Sequence, residues 1–439
     1  MNLFSSLSRY RENYFSILLA LLPFSYIAGN MIININIILI ILSAILIFRK
    51  NLFQLKFFII DKLILSFFTL IIISGIINDY YFYTEKLEWL GYFSTTLKSI
   101  LFLKYLFLYL CLRFLFENDF LNLKFFFIGC LISSLFVCFD LLYQLYFGKD
   151  IFGFPKPGVG RKLGGPFGDE LIAGSFIQRF SIFSFFLIPI FYKKELNKYL
   201  KYVISFLFLI FFIGITISGN RMPLILFLFT ICLVILFQKE TRKYLLSFVI
   251  SFSLIFIVII TLSKDIRDNF GVFRVEITNI IKSIGKNGVS ENSPHYLKEF
   301  ASFYETWKIN KYLGGGIKNF RYYCHVRENI PKDSKFICNM HPHNYYLEIL
   351  TETGLVGLLI SGTLFFLILY TTLVKKYFLR SPLNNNNMII PFIFLFVAEI
   401  FPLKSTGSFF TTGNATYLFL IIGILLALTR KEISIENKK

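Results

Sequence analysis

Long apolar stretches separated by short polar segments recur along the whole chain. About 20 mostly apolar residues let an α-helix cross the hydrocarbon core of a membrane, and stretches of that kind predict about twelve spans. Their approximate bounds are 14–29, 31–48, 62–78, 98–116, 124–147, 171–192, 200–217, 221–238, 243–263, 354–374, 387–403 and 414–429. The pattern therefore predicts an all-α polytopic membrane protein with about twelve transmembrane helices.

Two polar segments are much longer than the other connections, and they divide the chain. Residues 1–147 hold predicted helices 1–5, and the first long segment covers 148–170. Residues 171–263 hold helices 6–9, the second long segment covers 264–343, and 344–439 holds helices 10–12 and a tail. Loops of that length are usually functional or form a small domain. We expect the second one to be partly helical.

The composition agrees with a membrane protein and excludes two other classes. Of the 439 residues, 56% are hydrophobic and 16% are charged, whereas soluble domains have about 45–50% and about 25%. A soluble globule has no interior large enough for 57 Phe residues, and a disordered chain needs the opposite composition. A net charge of +19 would suggest nucleic acid in a soluble protein. In a membrane protein, Lys and Arg first hold loops in the cytoplasm, so no nucleic acid is expected.

The distribution of Lys and Arg predicts the orientation. With the N-terminus placed in the cytoplasm, the Lys- and Arg-rich connections fall inside: 49–56, 193–201, 239–243, 375–380 and 430–439. The short connections outside are poor in these residues, and 404–413 contains only Lys404. Both termini are therefore expected in the cytoplasm, and both long segments outside. Long loops escape this rule, so the net positive charge of 264–343 is free to serve binding.

All four histidines lie in the second long segment or at its edge: His295, His325, His341 and His343. Histidine is tolerated in many loops without a function. His341 and His343 differ because they directly precede an apolar stretch, where outer water meets the membrane. A neutral imidazole at such a place can accept a proton near pH 7.

Cys324 and Cys338 lie in the same long segment, whereas the other four cysteines lie in apolar stretches and are most simply packing residues. In an oxidising compartment a disulfide would close a loop of about 15 residues and stabilise the fold by about 3 kcal/mol. The alternative is a metal site that also uses His325, His341 and His343, but the spacing lacks the usual ligand pattern. We favour the disulfide over the metal site.

Charged residues in or beside predicted spans are expensive and therefore informative. Arg179 and Asp140 lie within spans, Arg221 starts one, and Glu399 lies near the outer end of another. One interpretation is that Arg179 pairs with Asp140 or Glu399 to hold helices together. The other is an outward-facing cationic pocket of Arg221, Arg179 and Arg161. Because Arg stays charged and grips phosphate bidentately, such a pocket would suit a lipid-linked phosphate or pyrophosphate.

Four short motifs follow one another along the chain. They run from Arg161 to Arg179, through Ser218-Gly219-Asn220-Arg221, from His343-Asn344 to Glu352-Thr353-Gly354 and Gly357, and from Pro402 to Phe410. Together with the span layout they resemble the O-antigen ligase family, a group that includes O-antigen polymerases and protein O-oligosaccharyltransferases. The third segment is the most specific of the four.

The resemblance implies a glycosyltransferase at the periplasmic face of the bacterial inner membrane. The donor would be a glycan on undecaprenyl pyrophosphate. The acceptor hydroxyl would lie on lipid A-core, as in a ligase, or on another lipid-linked repeat, as in a polymerase. The family's catalytic His maps onto His343 as a base, and its membrane-edge Arg maps onto Arg221. No metal or other cofactor is implied, and a single displacement would invert the anomeric centre.

The family usually has a second Arg, in the long loop, that would contact phosphate, and this chain has no evident counterpart. We favour Arg274 slightly over His295 for this contact. Glu352 follows His343 by nine residues, about two and a half helical turns, so we expect it to support the site rather than donate a proton. The supporting or acceptor-side candidates are Asn344, Glu352, His295 and His341.

A glycolipid transporter or flippase is the alternative from another class. Such a protein is expected to hold polar groups near the bilayer midplane and often has an internal repeat. Here the polar residues gather at the outer side instead. We therefore favour the glycosyltransferase, for which a monomer would suffice.

Overall fold

The computed structural model describes residues 3–81, 94–156, 162–192, 199–239, 241–262, 264–283, 295–326, 338, 341–405 and 407–436. Within these residues the protein consists of α-helices and connections, without a β-strand. The predicted class, an all-α polytopic membrane protein, is confirmed.

Seventeen helices are labelled here in chain order. The first group is α1 (Leu3–Ala20), α2 (Leu22–Ile27), α3 (Asn30–Phe48), α4 (Ile59–Tyr81), α5 (Ser94–Phe102), α6 (Lys104–Glu117) and α7 (Leu123–Phe147). The second is α8 (Ala173–Phe191), α9 (Leu200–Ile217), α10 (Arg221–Phe237), α11 (Leu245–Leu262), α12 (Lys264–Ser283), α13 (His295–Trp307) and α14 (Phe320–Val326). The third is α15 (Tyr345–Leu369), α16 (Ile389–Glu399) and α17 (Thr412–Glu436).

Each predicted span overlaps a helix, but the bounds differ in places. Eight helices of the described part are long and apolar enough to cross a membrane. The apolar helices α10 and α16 are shorter, at 17 and 11 residues, so the number twelve stays a prediction. The second long segment holds α12, α13 and α14, and the expectation that it is partly helical is confirmed for the described residues.

The most enclosed helix is α17, which is buried without interruption from Ala415 to Thr429 and packs against α6 and α16. A helix that is apolar on all sides is expected in the middle of a bundle. Helix α11 is even more apolar but has no buried residue, which is typical of a helix facing lipid. The enclosed position of α17 lets it connect charged side chains at both ends of the bundle.

Helix α15 is broken at Gly354, whose φ of 68° and ψ of −171° are not helical. A Cβ at this position would lie 2.1 Å from the Tyr312 carbonyl oxygen, so only glycine fits. Two amides and two carbonyls freed by the break form hydrogen bonds with the turn that follows α13. The pairs are Leu355 N to Lys311 O, Val356 N to Tyr312 O, Gly315 N to Thr351 O and Gly316 N to Glu352 O, at 2.8–3.2 Å. The break thus anchors the long segment to the bundle.

A disulfide joins Cys324 to Cys338, as the sequence predicts, so these sulfur atoms are not thiolate ligands. Cys324 packs with Phe303 of α13 and Phe320 of α14 in a small buried cluster, with Leu347 of α15 at its edge. The segment therefore has a core of its own beside the first turns of α15.

Candidate active site

The first two motif segments meet at the start of α8. The Leu163 N–H donates to the Ser218 carbonyl at 3.1 Å. A Cβ on Gly174 would lie 2.6 Å from both Ser218 Oγ and Asn220 Cβ. The Ser218-Gly219-Asn220 turn therefore packs directly on α8, and it sets the direction in which Arg221 enters α10.

Arg221 begins α10, so its backbone lies at a helix N-terminus, where partial positive charge accumulates. Its Nη1 lies 2.8 Å from Glu276 Oε2 on α12, and the side chain is 20% exposed. Burial lowers the pKa of the nearby Lys162, and the Arg221 cation lowers it further. Arg221 and Lys162 thus form a cationic pair that Glu276 partly neutralises. Sequence reasoning passed over Lys162, although it lies next to Arg161, which is outside the described residues.

Arg179 is bound by a buried group that we call the Glu399 network: Arg179, Glu399, Lys404, Tyr345 and Asn414. The Glu399 carboxylate accepts from Arg179 Nη2 at 2.7 Å and Nε at 3.2 Å, and from Lys404 Nζ at 2.7 Å. Arg179 Nη2 also donates to Asn414 Oδ1 at 2.7 Å, and the Tyr345 hydroxyl donates to Glu399. Of the two sequence interpretations, the geometry matches helix pairing through Glu399. A phosphate contact by Arg179 stays a prediction.

Asp140 does not take part in that pairing. Its Oδ1 accepts the Ile151 N–H at 2.8 Å, so it holds the loop that follows α7 rather than the Arg179 guanidinium. The charged residues of the predicted spans thus fall into separate local groups.

Lys404 is the member of the Glu399 network that sequence reasoning missed. Burial lowers its pKa to about 8, against the opposing effect of the Glu399 carboxylate. With Arg179 and Lys404 against one carboxylate, the network carries an excess of one positive charge when Lys404 is protonated. The sequence signal was its position as the only Lys or Arg in residues 404–413.

His343 lies just before α15 and has a φ of 53°, a left-handed conformation that is uncommon for residues other than glycine. The next residue, Asn344, caps the helix because its Oδ1 accepts from the Tyr346 and Leu347 N–H groups at 3.0 and 3.2 Å. Its Nδ2 donates to the Pro402 carbonyl at 2.8 Å. The cap fixes the backbone of His343 and joins the third motif segment to the fourth.

The rings of His341 and His343 are in edge contact, with centroids 4.4 Å apart. Burial lowers the pKa of His341, which keeps this ring neutral near pH 7. A neutral His341 places no positive charge beside the His343 ring.

Two carboxylates on the first turns of α15 are buried. Glu348 accepts from Ser408 Oγ at 2.5 Å and from Phe409 N at 2.6 Å, which ties the fourth segment to α15. Glu352, directly before the break, is 2% exposed and accepts a hydrogen bond from the Lys318 backbone. The supporting role expected of Glu352 is compatible with this position and stays a prediction.

The two loop candidates for a second phosphate contact differ in placement. Arg274 lies on α12 and is exposed, two residues before the Glu276 that binds Arg221. His295 begins α13, and its side chain is outside what the structure describes. Neither role is decided by these positions.

In a comparison with known families, the family model described as O-antigen ligase matches residues 206–361. A comparison with curated proteins gives no match. The matched part contains Arg221, His343, Asn344 and Glu352, whereas Arg179 and Lys404 lie outside it. This match, over the segment that carries the most specific motif, supports the assignment of the chain to the O-antigen ligase family.

Proposed function

We propose that the protein transfers a glycan from undecaprenyl pyrophosphate to an acceptor hydroxyl at the periplasmic face of the bacterial inner membrane. The preferred reaction is O-antigen ligation to lipid A-core. The observation that carries the proposal is the convergence of four motif segments at one end of the bundle. There His343 and Arg221 each stand at the start of a helix, at α15 and α10.

His343 is proposed to be the base. A sugar hydroxyl is a poor nucleophile, and a positioned imidazole accelerates its attack by taking the proton in the transition state. The Asn344 cap and the left-handed backbone hold His343 in place, and its ring is only partly buried. An acceptor can therefore reach the ring while its position stays fixed.

Arg221 and Lys162 are proposed to bind the leaving pyrophosphate. This group gains charge as the anomeric bond breaks, and cations placed in advance stabilise that charge. The α10 N-terminus adds favourable partial charge for an anion. A bound pyrophosphate would compete with Glu276 for the Arg221 guanidinium, so donor binding would break the 2.8 Å ion pair.

The Glu399 network is proposed to support this chemistry without touching the reacting atoms. It connects α8, α16 and α17 with Tyr345, the first residue of α15. It also holds Lys404 in the connection whose Pro402 carbonyl receives Asn344. Loss of this network would therefore displace the cap that positions His343.

The central test replaces His343 and Arg221 separately by alanine. We expect glycan transfer to be lost in both variants, with expression and membrane insertion retained. Arg267→Ala is the matched control, since it removes an exposed cation from α12 and should leave transfer intact. Normal transfer by both His343→Ala and Arg221→Ala would refute the proposal.

A lipopolysaccharide gel of a deletion strain separates the acceptors. Loss of the whole glycan ladder from a complete core identifies a ligase, whereas core carrying a single repeat identifies a polymerase. Movement of a lipid-linked glycan between leaflets, without a new glycosidic bond, would instead support a flippase.

A further inference from the structure

A cavity of about 630 Å³ lies at the end of the bundle away from the candidate active site. It is bounded by α1, the connection between α3 and α4, the last turn of α6 and the last turns of α17. Along α17, Arg430 at this cavity follows Asn414 of the Glu399 network by sixteen residues, which is about 24 Å of helix. The cavity is therefore separate from the proposed reaction.

The cavity lining is strongly cationic. Arg11, Lys56, Arg113, Arg430 and Lys431 face it together with one acid, Glu117. Three of the five cations are bound by acids. Arg113 and Arg430 bond with Asp61 and Glu117, and Lys431 bonds with Asp119.

Arg11 and Lys56 are different, because neither forms an ion pair within the part of the chain that the structure describes. Lys56 is exposed and Arg11 is partly exposed, so both can reach a ligand in the cavity. Two uncompensated cations beside a wall of bound Arg residues favour an anion.

The rest of the lining is mixed: four Phe residues and Leu55 lie beside the neutral polar residues Asn51, Gln54, Asn118 and Ser434. The four rings are Phe48, Phe58, Phe114 and Phe120, with Arg11 over the Phe48 ring at 5.7 Å and Arg430 over the Phe58 ring at 4.5 Å. Phe58 is 50% exposed. A free inorganic anion would gain no binding energy from contact with these aromatic rings. A molecule with a phosphate at one end and hydrocarbon at the other matches both the cations and the rings.

The position of the cavity agrees with that chemistry. It lies where apolar helices end in charged residues. In a bilayer, this depth is occupied by the lipid headgroups. Basic pockets between helices at the cytoplasmic ends of spans are typical headgroup sites, and the distribution of Lys and Arg places this end in the cytoplasm. The volume is within the roughly 300–1,000 Å³ usual for small-molecule sites.

We propose that this cavity binds the phosphate headgroup of an anionic glycerophospholipid, with Arg11 and Lys56 as the phosphate contacts. The four Phe side chains pack against the glycerol and the upper acyl chain. Such a lipid would hold α1, α6 and α17 together at this end. The inference does not depend on the proposed glycosyltransferase activity.

The test uses the full-length protein in nanodiscs of phosphatidylcholine with or without phosphatidylglycerol. Two readouts are measured, the lipid retained after delipidation by native mass spectrometry and the thermal unfolding midpoint. We expect the wild type to retain phosphatidylglycerol in preference to phosphatidylcholine and to unfold at a higher temperature with it. Equal retention of the two lipids by the wild type would overturn the proposal without any variant.

The variant Arg11→Gln/Lys56→Gln breaks no ion pair and should fold. We expect its preference for phosphatidylglycerol to fall on the order of tenfold. The matched control Lys50→Gln/Lys62→Gln removes two exposed cations near the same end but outside the cavity lining, and should keep the preference. An equal loss in both variants, or no loss in the first, would contradict the assignment. So would an equal stabilisation by water-soluble glycerol phosphate, which would indicate a small-anion site only.

Discussion

The bundle holds a buried charged network near each end, and the two differ in their balance of charge. In the Glu399 network one carboxylate serves Arg179 and Lys404. At the opposite end, the Asp61 network consists of Asp61, Arg113, Arg430, Glu117 and Tyr109. There Asp61 bonds with Arg113 and Arg430 at 2.7 Å each, and Glu117 bonds with both arginines.

The Asp61 network is therefore neutral, whereas the Glu399 network has one positive charge more than it can compensate. A buried ion pair is weak evidence for stability, because desolvation offsets its attraction. A neutral network of this kind can simply join helices. A network with excess positive charge, adjacent to the segments that carry the motifs, would favour an anion in the site proposed there. The following predictions test that difference.

Glu399→Gln should have the largest effect. It leaves Arg179 and Lys404 buried without a carboxylate, and breaking such a group costs about 3–5 kcal/mol. We expect a large fall in the unfolding temperature and loss of glycan transfer. Glu305→Gln, at the exposed pair with Lys308, is the control and should change stability by less than about 1 kcal/mol. A mild Glu399→Gln phenotype would mean that the network is not needed.

Removing the disulfide should come next. Cys324→Ser/Cys338→Ser opens a loop of about 15 residues, which should cost roughly 3 kcal/mol. The loss should be confined to the long segment, measured as faster proteolysis between α13 and α15 and weaker transfer. Cys232→Ser, a free and only partly buried cysteine, should behave as the wild type. If the wild type is cleaved between α13 and α15 at the same rate with and without reductant, this expectation is wrong.

Asp61→Asn should cost less than Glu399→Gln, about 2 kcal/mol. Glu117 still bonds with Arg113 and Arg430 in this variant, so no cation is left wholly uncompensated. We expect a lower unfolding temperature but normal transfer per folded molecule. If Asp61→Asn lowers the unfolding temperature as much as Glu399→Gln, or abolishes transfer in folded protein, then charge balance does not explain the difference between the two networks.

The titration of Lys404 should give the smallest signal near neutral pH, because it changes stability mainly at alkaline pH. Burial lowers the pKa of Lys404 to about 8 in the folded protein, from the ordinary value of 10.5 that we take for the unfolded chain. Between these values the unfolded state binds more protons, so this contribution to stability rises with pH and is lost as pH falls from about 10.5 to 8. Unfolding temperatures of the wild type and Lys404→Met across this range isolate it. If the unfolding temperatures of the two proteins change with pH in parallel, Lys404 does not titrate in this range.

Much of the fold follows from local pattern. Apolar runs of bilayer length located the helices. Charged residues are rare in or beside predicted spans, and this rarity singled out Arg179, Arg221 and Glu399. The start of the tenth predicted span at 354 coincides with the break at Gly354. Motif order pointed to the O-antigen ligase family, which the match over 206–361 supports.

Other features could not be predicted because they join residues far apart in the chain. The pairing of Arg179 with Glu399 rather than Asp140 spans 220 positions. Lys404 and Lys162 had no local signal strong enough to select them. The contact between Gly354 and the turn that follows α13 depends on backbone groups, which are the same in nearly every residue and therefore cannot be recognised in the sequence.

The sequence by itself determined the membrane class and the approximate spans, and it pointed to a family resemblance and to candidate site residues, because hydrophobicity and side-chain chemistry are local properties. Only the tertiary structure decided which charges meet, how the Asn344 cap holds His343, and that two cations face a cavity at the far end. Those outcomes depend on how helices pack, and a buried charge is stable only beside the particular partner that packing brings to it.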